Sequence, residues 1–320
     1  MKNFLEKLPK PFFCLAPMAD VTDAAFRSII TKYGKPDVTW TEFVSADGLA
    51  SEGREVLKNS LIFTKKEKPI VAQLFSSNPE KMRISSKYVA SLGFDGIDIN
   101  MGCPDKTIEK QGAGAAMMKD FKKAGEIIQA VKDGIKDANK KIPVSVKTRI
   151  GYNKIEIEEW IPFILSCDID ALTVHARTRK EMSLVPANWQ HIKRVVEIRD
   201  KMNIKTKIIG NGDVVGIKQG KKLAKEIGCD GIMIGRGIFG NPWLFSGKIP
   251  TYKEKLKVMV EHTKLFENLL GGHKNFAVMR KHYKAYVNGF DGAKELRVEL
   301  METKSAKEVE SIINKFLKNH

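Results

Sequence analysis

From residue 12 onward the chain repeats one pattern of apolar and polar positions. Short runs rich in β-branched and aromatic residues each stop at a Gly, a Pro or a polar cluster, and stretches with apolar residues three and four apart lie between most of them. The strand-like runs cover residues 12–17, 38–45, 69–75, 96–102, 143–150, 171–176, 207–212 and 231–235, and helical periodicity is clearest over 124–135 and 189–202. Eight strands separated by helices predict an α/β chain closed into a (β/α)8 TIM barrel, with a doubly wound parallel sheet as the competing arrangement. After Pro250 the strand pattern stops. Leu256, Val260, Leu265 and Leu269 form an apolar stripe in a Lys-rich stretch that Gly271-Gly272 and Gly289-Phe290-Asp291-Gly292 interrupt. Two domains are therefore expected, residues 1–249 as the barrel and 250–320 as a small helical bundle.

Charge adds a class of partner to this outline. In 320 residues, 55 Lys and Arg stand against 38 Asp and Glu, a formal net charge of +17. Such a surplus favours a polyanion, because neutralising phosphates releases condensed counterions and supplies affinity without reading a sequence. No run approaches the ~18 uninterrupted apolar residues that cross a bilayer, and no signal-peptide core follows Lys7. The expected compartment is the cytoplasm, with no membrane partner, and nothing in the sequence implies a protein partner. Cys14, Cys103, Cys167 and Cys229 are far apart and lack CxxC or Cys/His zinc spacing, which argues against a disulfide framework and a structural metal.

Candidate chemistry gathers where the strands end, which in barrel enzymes is the active-site face. The fourth strand runs into Asn100-Met101-Gly102-Cys103-Pro104, where Gly and Pro stop the ladder and present a thiol on a loop. A lone cysteine is more often a small core hydrophobe, so the turn residues are what favour a reactive role. Glycines at 210, 212, 235 and 237 with Arg236 read as a phosphate cradle. Residues 235–240 also fit GxGxxG, but at the last strand, with no βαβ return to make a dinucleotide site. Lys147 lies on an apolar strand and needs an anionic partner, either as a Schiff-base lysine or facing the electron-rich edge of a flavin. Gln73 offers a donor and an acceptor that suit an imide edge or a turn, and His175 is either a core histidine or a group beside an anionic cofactor.

In order, these segments resemble the tRNA-dihydrouridine synthase family, over essentially the whole chain. The resemblance rests on Ala16-Pro17-Met18-Ala19-Asp20-Val21-Thr22-Asp23 with Phe26-Arg27, Gln73-Leu74, Asn100-Met101-Gly102-Cys103-Pro104 and Lys147-Thr148-Arg149-Ile150-Gly151. It continues through His175-Ala176-Arg177-Thr178, Gly210-Asn211-Gly212-Asp213 and Gly235-Arg236-Gly237 to Gly240-Asn241-Pro242-Trp243. It implies an FMN-binding barrel with a helical tRNA-binding domain, reducing the uridine C5–C6 double bond with electrons from NADPH or NADH. By position it implies Cys103 as the acid that protonates C5 while hydride passes to C6. Asn100 would hold the flipped uracil and Arg177 would contact substrate. Pro17, Met18, Ala19, Gln73, Lys147, His175, Asn211, Gly212, Asp213, Gly235 and Arg236 would hold FMN, and the basic and aromatic residues of Arg280-Lys281-His282-Tyr283-Lys284-Ala285-Tyr286 would meet RNA. Two positions depart from the family pattern: Ala176 stands where Gly is usual, and Ser76-Ser77 where a Gly is common. Other readings of the same residues are an FMN barrel acting on a small molecule, similar to dihydroorotate dehydrogenase, a class I aldolase built on Lys147, and a non-enzymatic RNA chaperone.

Overall fold

The computed structural model describes residues 3–319. Its strands are β1 Phe12–Leu15, β2 Val38–Ser45, β3 Ile70–Phe75, β4 Gly96–Met101, β5 Val144–Arg149, β6 Ala171–His175, β7 Lys207–Asn211 and β8 Gly231–Ile234. They pair in sequence order, all parallel, and β8 closes onto β1, so the sheet is a barrel and the doubly wound alternative is excluded. The periodicity expected over 124–135 and 189–202 is realised as helices Phe121–Asp137 and Gln190–Lys201. Between β2 and β3 the chain makes only short turns, Ala46–Leu49 and Arg54–Leu57 the first of them, where the barrel pattern calls for a long helix.

Side chains alternate between two faces along each strand. Phe12 and Cys14 of β1, with Val38, Trp40, Val71, Ala171, Ile209 and Met233, fill the barrel interior. Their neighbours Phe13, Leu15, Ile70, Ala72, Ile208 and Ile232 pack outward against the helices. Following the inward positions upward, Val71 gives way to Gln73, Ala171 to Thr173 and His175, and Ile209 to Asn211. The interior is thus apolar at the base and polar at the mouth.

At the base, an aspartate directly precedes each even-numbered strand and accepts a backbone hydrogen bond from the start of the strand before it. Phe13 N–H donates to Asp37 (2.7 Å), Ile70 to Asp95 (2.9 Å), Val144 to Asp170 (2.9 Å) and Ile208 to Asp230 (3.0 Å). Each bond satisfies a strand-end donor that the ladder leaves open.

Beyond the barrel lie α-helices Tyr252–Leu270, Arg280–Tyr286, Ala293–Met301 and Ala306–Asn319, the first opened by a Thr251/Glu254 capping box. Their core holds Leu256, Met259, Phe266 and Leu270, joined by Ala25 and Ile29 of the first barrel helix, Ala24–Gly34. Of the stripe expected from sequence, Leu256 is in this core, while Val260, Leu265 and Leu269 lie at its edge. Phe26, His262 and His282 meet where the barrel and the tail touch. No helix among the described residues is long and apolar enough to cross a membrane.

Candidate active site at the barrel mouth

A cavity of about 600 Å³ opens at the C-terminal ends of β1 and β5–β8. Its walls include Ala16, Pro17, Met18 and Met233, and around them Lys147, Arg149, Arg177 and Arg236 with a single acid, Asp213. His175, Asn211, Gly212 and Gly235 complete the part of the lining expected from sequence, whereas Ala19, Gln73, Asn100 and Cys103 are outside it.

Among the described residues the Lys147 ammonium has no hydrogen-bond or ion-pair partner. Burial, and then the Arg149 guanidinium, lower its pKa to about 8. A desolvated amine of this kind gains from a bound anion. His175 carries the opposite message. Arg177 Nη1 donates to His175 Nε2 (3.1 Å), and a guanidinium has only donors, so the imidazole proton sits on Nδ1. Burial and then the surrounding cations Lys147, Arg149, Arg177 and Arg236 push the ring down to about 2, so it is neutral at any ordinary pH.

Two arginines at this mouth act as struts. Arg177 also donates to Val185 O (2.6 Å) and to Asp213, which leaves only part of its fork for a ligand. Arg149, which the sequence reading passed over, donates through Nε to Gly102 O (2.9 Å) and through Nη1 to Thr178 O (3.0 Å) and Met182 O (2.9 Å), tying the β4, β5 and β6 loops together. Asp213 in turn accepts from Ala187 N–H (2.8 Å), Arg177 and Arg236 (3.0 Å), so it aims the two arginines across the cavity. Gly212 has φ +138°, and a Cβ there would lie 2.6 Å from Ala187 Cβ; only glycine fits this turn. At Gly235 a Cβ would stand 3.5 Å from Met18 Sδ and 3.6 Å from Ala16 Cβ, filling space beside the apolar wall.

Cys103 sits on the β4 loop, half-buried. Its carbonyl accepts from Ala115 N–H (2.9 Å), and Gly114, at φ +61°, lets that segment close in. Burial is the largest influence on the thiol and raises its pKa, against the pull of the Asp105 N–H and of Lys147 and Arg149, so the proton is retained at neutral pH. Register places Asn100 opposite Lys147 on the next strand. Asn100 Oδ1 accepts from Gly102 N–H (3.1 Å) and Cys103 N–H (2.9 Å), and its Nδ2 donates to Gln73 Oε1 (3.2 Å). Asn100 therefore braces the cysteine loop and keeps one N–H in hand.

The departures from the family pattern are accommodated. Ala176 is buried outside the cavity lining, without positive φ, and accepts from Asn188 N–H at its carbonyl (3.2 Å). Ser76 Oγ accepts from Asn78 N–H (2.9 Å), and Ser77 Oγ donates to Gln111 O, tying the β3 and β4 loops. In the tail, His282, Tyr283 and Tyr286 are fully buried while Arg280, Lys281 and Lys284 are exposed, so the interleaved pattern there is an amphipathic helix with its aromatics inside.

A closed parallel barrel with a cation-rich cavity and a thiol at its C-terminal mouth is the architecture of a TIM-barrel enzyme. The dihydrouridine synthase family model matches residues 14–320, and the chain belongs to that family. A probable tRNA-dihydrouridine synthase of Staphylococcus aureus (strain COL) is 41% identical over 321 residues, 98% of this chain and 96% of that protein. The probable tRNA-dihydrouridine synthase 2 of Bacillus subtilis (strain 168) is 41% identical over 320 residues, covering 98% and 97%. Among solved structures, histamine dehydrogenase from Rhizobium sp. 4-9 superposes with a TM-score of 0.54 over 79% of this chain and 48% of its own, at 12% identity. A 2-naphthoyl-CoA reductase complex gives 0.53 over 73% and 49%, also at 12%. The chain thus spans about half of each of these larger proteins, and the likeness is one of fold.

Proposed function

We propose that this chain reduces the C5–C6 double bond of uridines in tRNA to dihydrouridine, with FMN as resident cofactor and NADPH or NADH as reductant. The observation that carries the reading is a half-buried thiol, Cys103, on a braced loop at the mouth of a cation-rich barrel, in a member of the dihydrouridine synthase family. The cavity suits FMN in size, since small-ligand sites run from about 300 to 1,000 Å³. It suits it in chemistry too, through an apolar wall, a lysine whose ammonium has no partner among the described residues and a glycine at 235 where a side chain would take up room. When bound, the flavin would supply hydride to uridine C6.

The chain's own residues do the rest. Pro17 and Met18 offer the wall and Lys147 the polar contact to the ring, whereas Ala19 and Gln73 stand outside the cavity lining and Gln73 holds Asn100 instead. His175, Asn211, Gly212, Gly235 and Arg236 hold the remainder of the cofactor, with Asp213 orienting Arg236. Cys103 gives its proton to C5, for which a thiol kept neutral is the competent form. Asn100 supports that loop and turns its free N–H toward the uracil, and Arg177 supports His175. Flipping a base out of folded RNA costs a few kcal/mol. Exposed Arg280, Lys281 and Lys284 in a helical unit spanning 250–320 would offset that by meeting phosphates.

The test is nucleoside mass spectrometry on unmodified tRNA incubated with the flavin-loaded protein and NADPH. The expected result is uridine gaining two hydrogens, falling by about 10²- to 10⁴-fold in Cys103→Ala, the range of a lost general acid. Bound FMN with no gain on tRNA would overturn the assignment of tRNA as substrate.

A further inference from the structure

Beneath the cavity a chain of hydrogen bonds runs from a carboxylate to the loop that carries Cys103. Asp98 is fully buried on β4; Gln73 Nε2 donates to its Oδ2 (2.6 Å) and Ser145 Oγ to its Oδ1. Gln73, also fully buried, accepts at Oε1 from Asn100 Nδ2 (3.2 Å). Asn100 Oδ1 then accepts from the backbone N–H groups of Gly102 (3.1 Å) and Cys103 (2.9 Å). Each amide side chain has one donating end and one accepting end, so the orientation of one fixes the orientation of the next. The first member of the row is different in kind, because an ionised carboxylate accepts and never donates.

We propose that Asp98 is a positioning residue for Cys103: its acceptor-only carboxylate sets the direction of the Gln73–Asn100 amide chain, and so presents the oxygen that holds the Cys103 backbone. The meaning of this for turnover rests on Cys103 as proton donor, whereas the hydrogen-bond chain stands without it. Burial raises the Asp98 pKa, to about 6, and the carboxylate is ionised at neutral pH. An amide at position 98 accepts at one atom where the carboxylate accepts at two: with its oxygen kept on Ser145 it offers an N–H to Gln73, and the opposite orientation is open only if the Ser145 hydroxyl turns to accept. Facing that N–H, Gln73 would turn, its Nε2 would face Asn100 Nδ2, and Asn100 would turn away from the loop. Ala115 N–H on Cys103 O and Arg149 Nε on Gly102 O (both 2.9 Å) would keep the loop folded, so the change is a local loosening.

The experiment measures the rate at which iodoacetamide alkylates Cys103, followed peptide by peptide by mass spectrometry in the full-length purified protein at neutral pH. The variants are Asp98→Asn and the double variant Asp98→Asn/Gln73→Glu. In the double variant the new amide donates to the new carboxylate, whose second oxygen again accepts from Asn100, and the original direction returns. Loosening exposes the thiol and eases its ionisation, so the single variant is expected to react about tenfold faster, the scale of one buried hydrogen bond. The double variant is expected within about twofold of the native rate. A single variant that reacts at the native rate overturns the proposal, as does a double variant no closer to native than the single one. If Asp98→Asn does not fold, recovery of folded protein in the double variant supports the rule of direction, and failure of both overturns it. Dihydrouridine formation by the native protein, followed in parallel, tests the reading of Cys103 separately from these rates.

Discussion

The two rims of the barrel are built from the same eight strands and treat charge in opposite ways. At the N-terminal rim Asp37, Asp95, Asp170 and Asp230 each take a backbone donor, and Asp230 also takes Arg199 (2.7 Å). At the C-terminal rim the Lys147 ammonium has no partner among the described residues, and His175 is held neutral among four cations. Polar groups at the base are satisfied by the fold itself, which is what an end that only stabilises requires. At the mouth the Lys147 ammonium is left to a ligand, and the fold bears the desolvation cost of keeping it ready.

The largest expected effect that could break this comparison comes from the base. Asp230→Ala leaves Ile208 N–H without its acceptor and removes a partner of the nearly buried Arg199. The loss should be roughly 3 kcal/mol in denaturant unfolding, with turnover per folded molecule unchanged within about twofold. A fall in turnover with stability intact would mean that the base shares in the site.

Lys147→Met should do the reverse. Flavin affinity is expected to fall about 10- to 100-fold, the worth of a charge-assisted bond, with the flavin-free protein no less stable. Its pH dependence has a definite sign. The folded pKa of Lys147, about 8, is below the unfolded value of 10.5, so the unfolded chain binds more protons across that interval. The stability that Lys147 costs near neutrality is therefore recovered as pH rises from 8 toward 10.5. Flavin-free native protein should gain on the order of 1–2 kcal/mol relative to Lys147→Met between pH 7 and 10. Parallel stability curves for the two proteins would show that the lysine is not desolvated.

The strands were legible to within a residue or two because each is closed by Gly, Pro or a polar cluster, signals that act locally. Lys147, His175, Asn211, Gly212, Asp213, Gly235 and Arg236 of the cavity lining were legible for the same reason, since glycines and charged or polar groups at strand ends stand out against an apolar run. Three things were hidden. Asp98 reads as the polar half of an alternation, and only the closed sheet turns it inward between Gln73 and Ser145. Arg149 stands in plain view, but its task of clamping three loops depends on contacts 29 to 47 residues away in sequence. The aromatic residues between 282 and 286 suggest a stacking surface for RNA until packing against the first barrel helix assigns them to a core. Period and punctuation are local properties, whereas the direction of a side chain and the identity of its partner belong to the tertiary structure.

The smallest of these effects sharpens the comparison at the place where the helical tail reaches the mouth. Lys274 Nζ donates to both oxygens of Glu42 (2.9 and 3.0 Å) and approaches Asp20 (3.3 Å), whose backbone N–H donates to the same Glu42 (2.6 Å). Asp20 follows Pro17, Met18 and Ala19, so a lysine from the tail supports the loop that walls the cavity. In Lys274→Met the almost fully buried Glu42 loses its counter-charge, at a cost of about 1–3 kcal/mol. Adding Glu42→Gln removes the stranded charge while Asp20 keeps an acceptor, so thermal unfolding of the double variant should return at least half of the loss. Flavin affinity should follow stability in both variants if the tail acts on the mouth through this loop. If unfolding shifts as expected while affinity stays at the native value, the tail is anchored to the barrel at Glu42 but does not shape the cavity, and the mouth is then organised by the barrel strands alone.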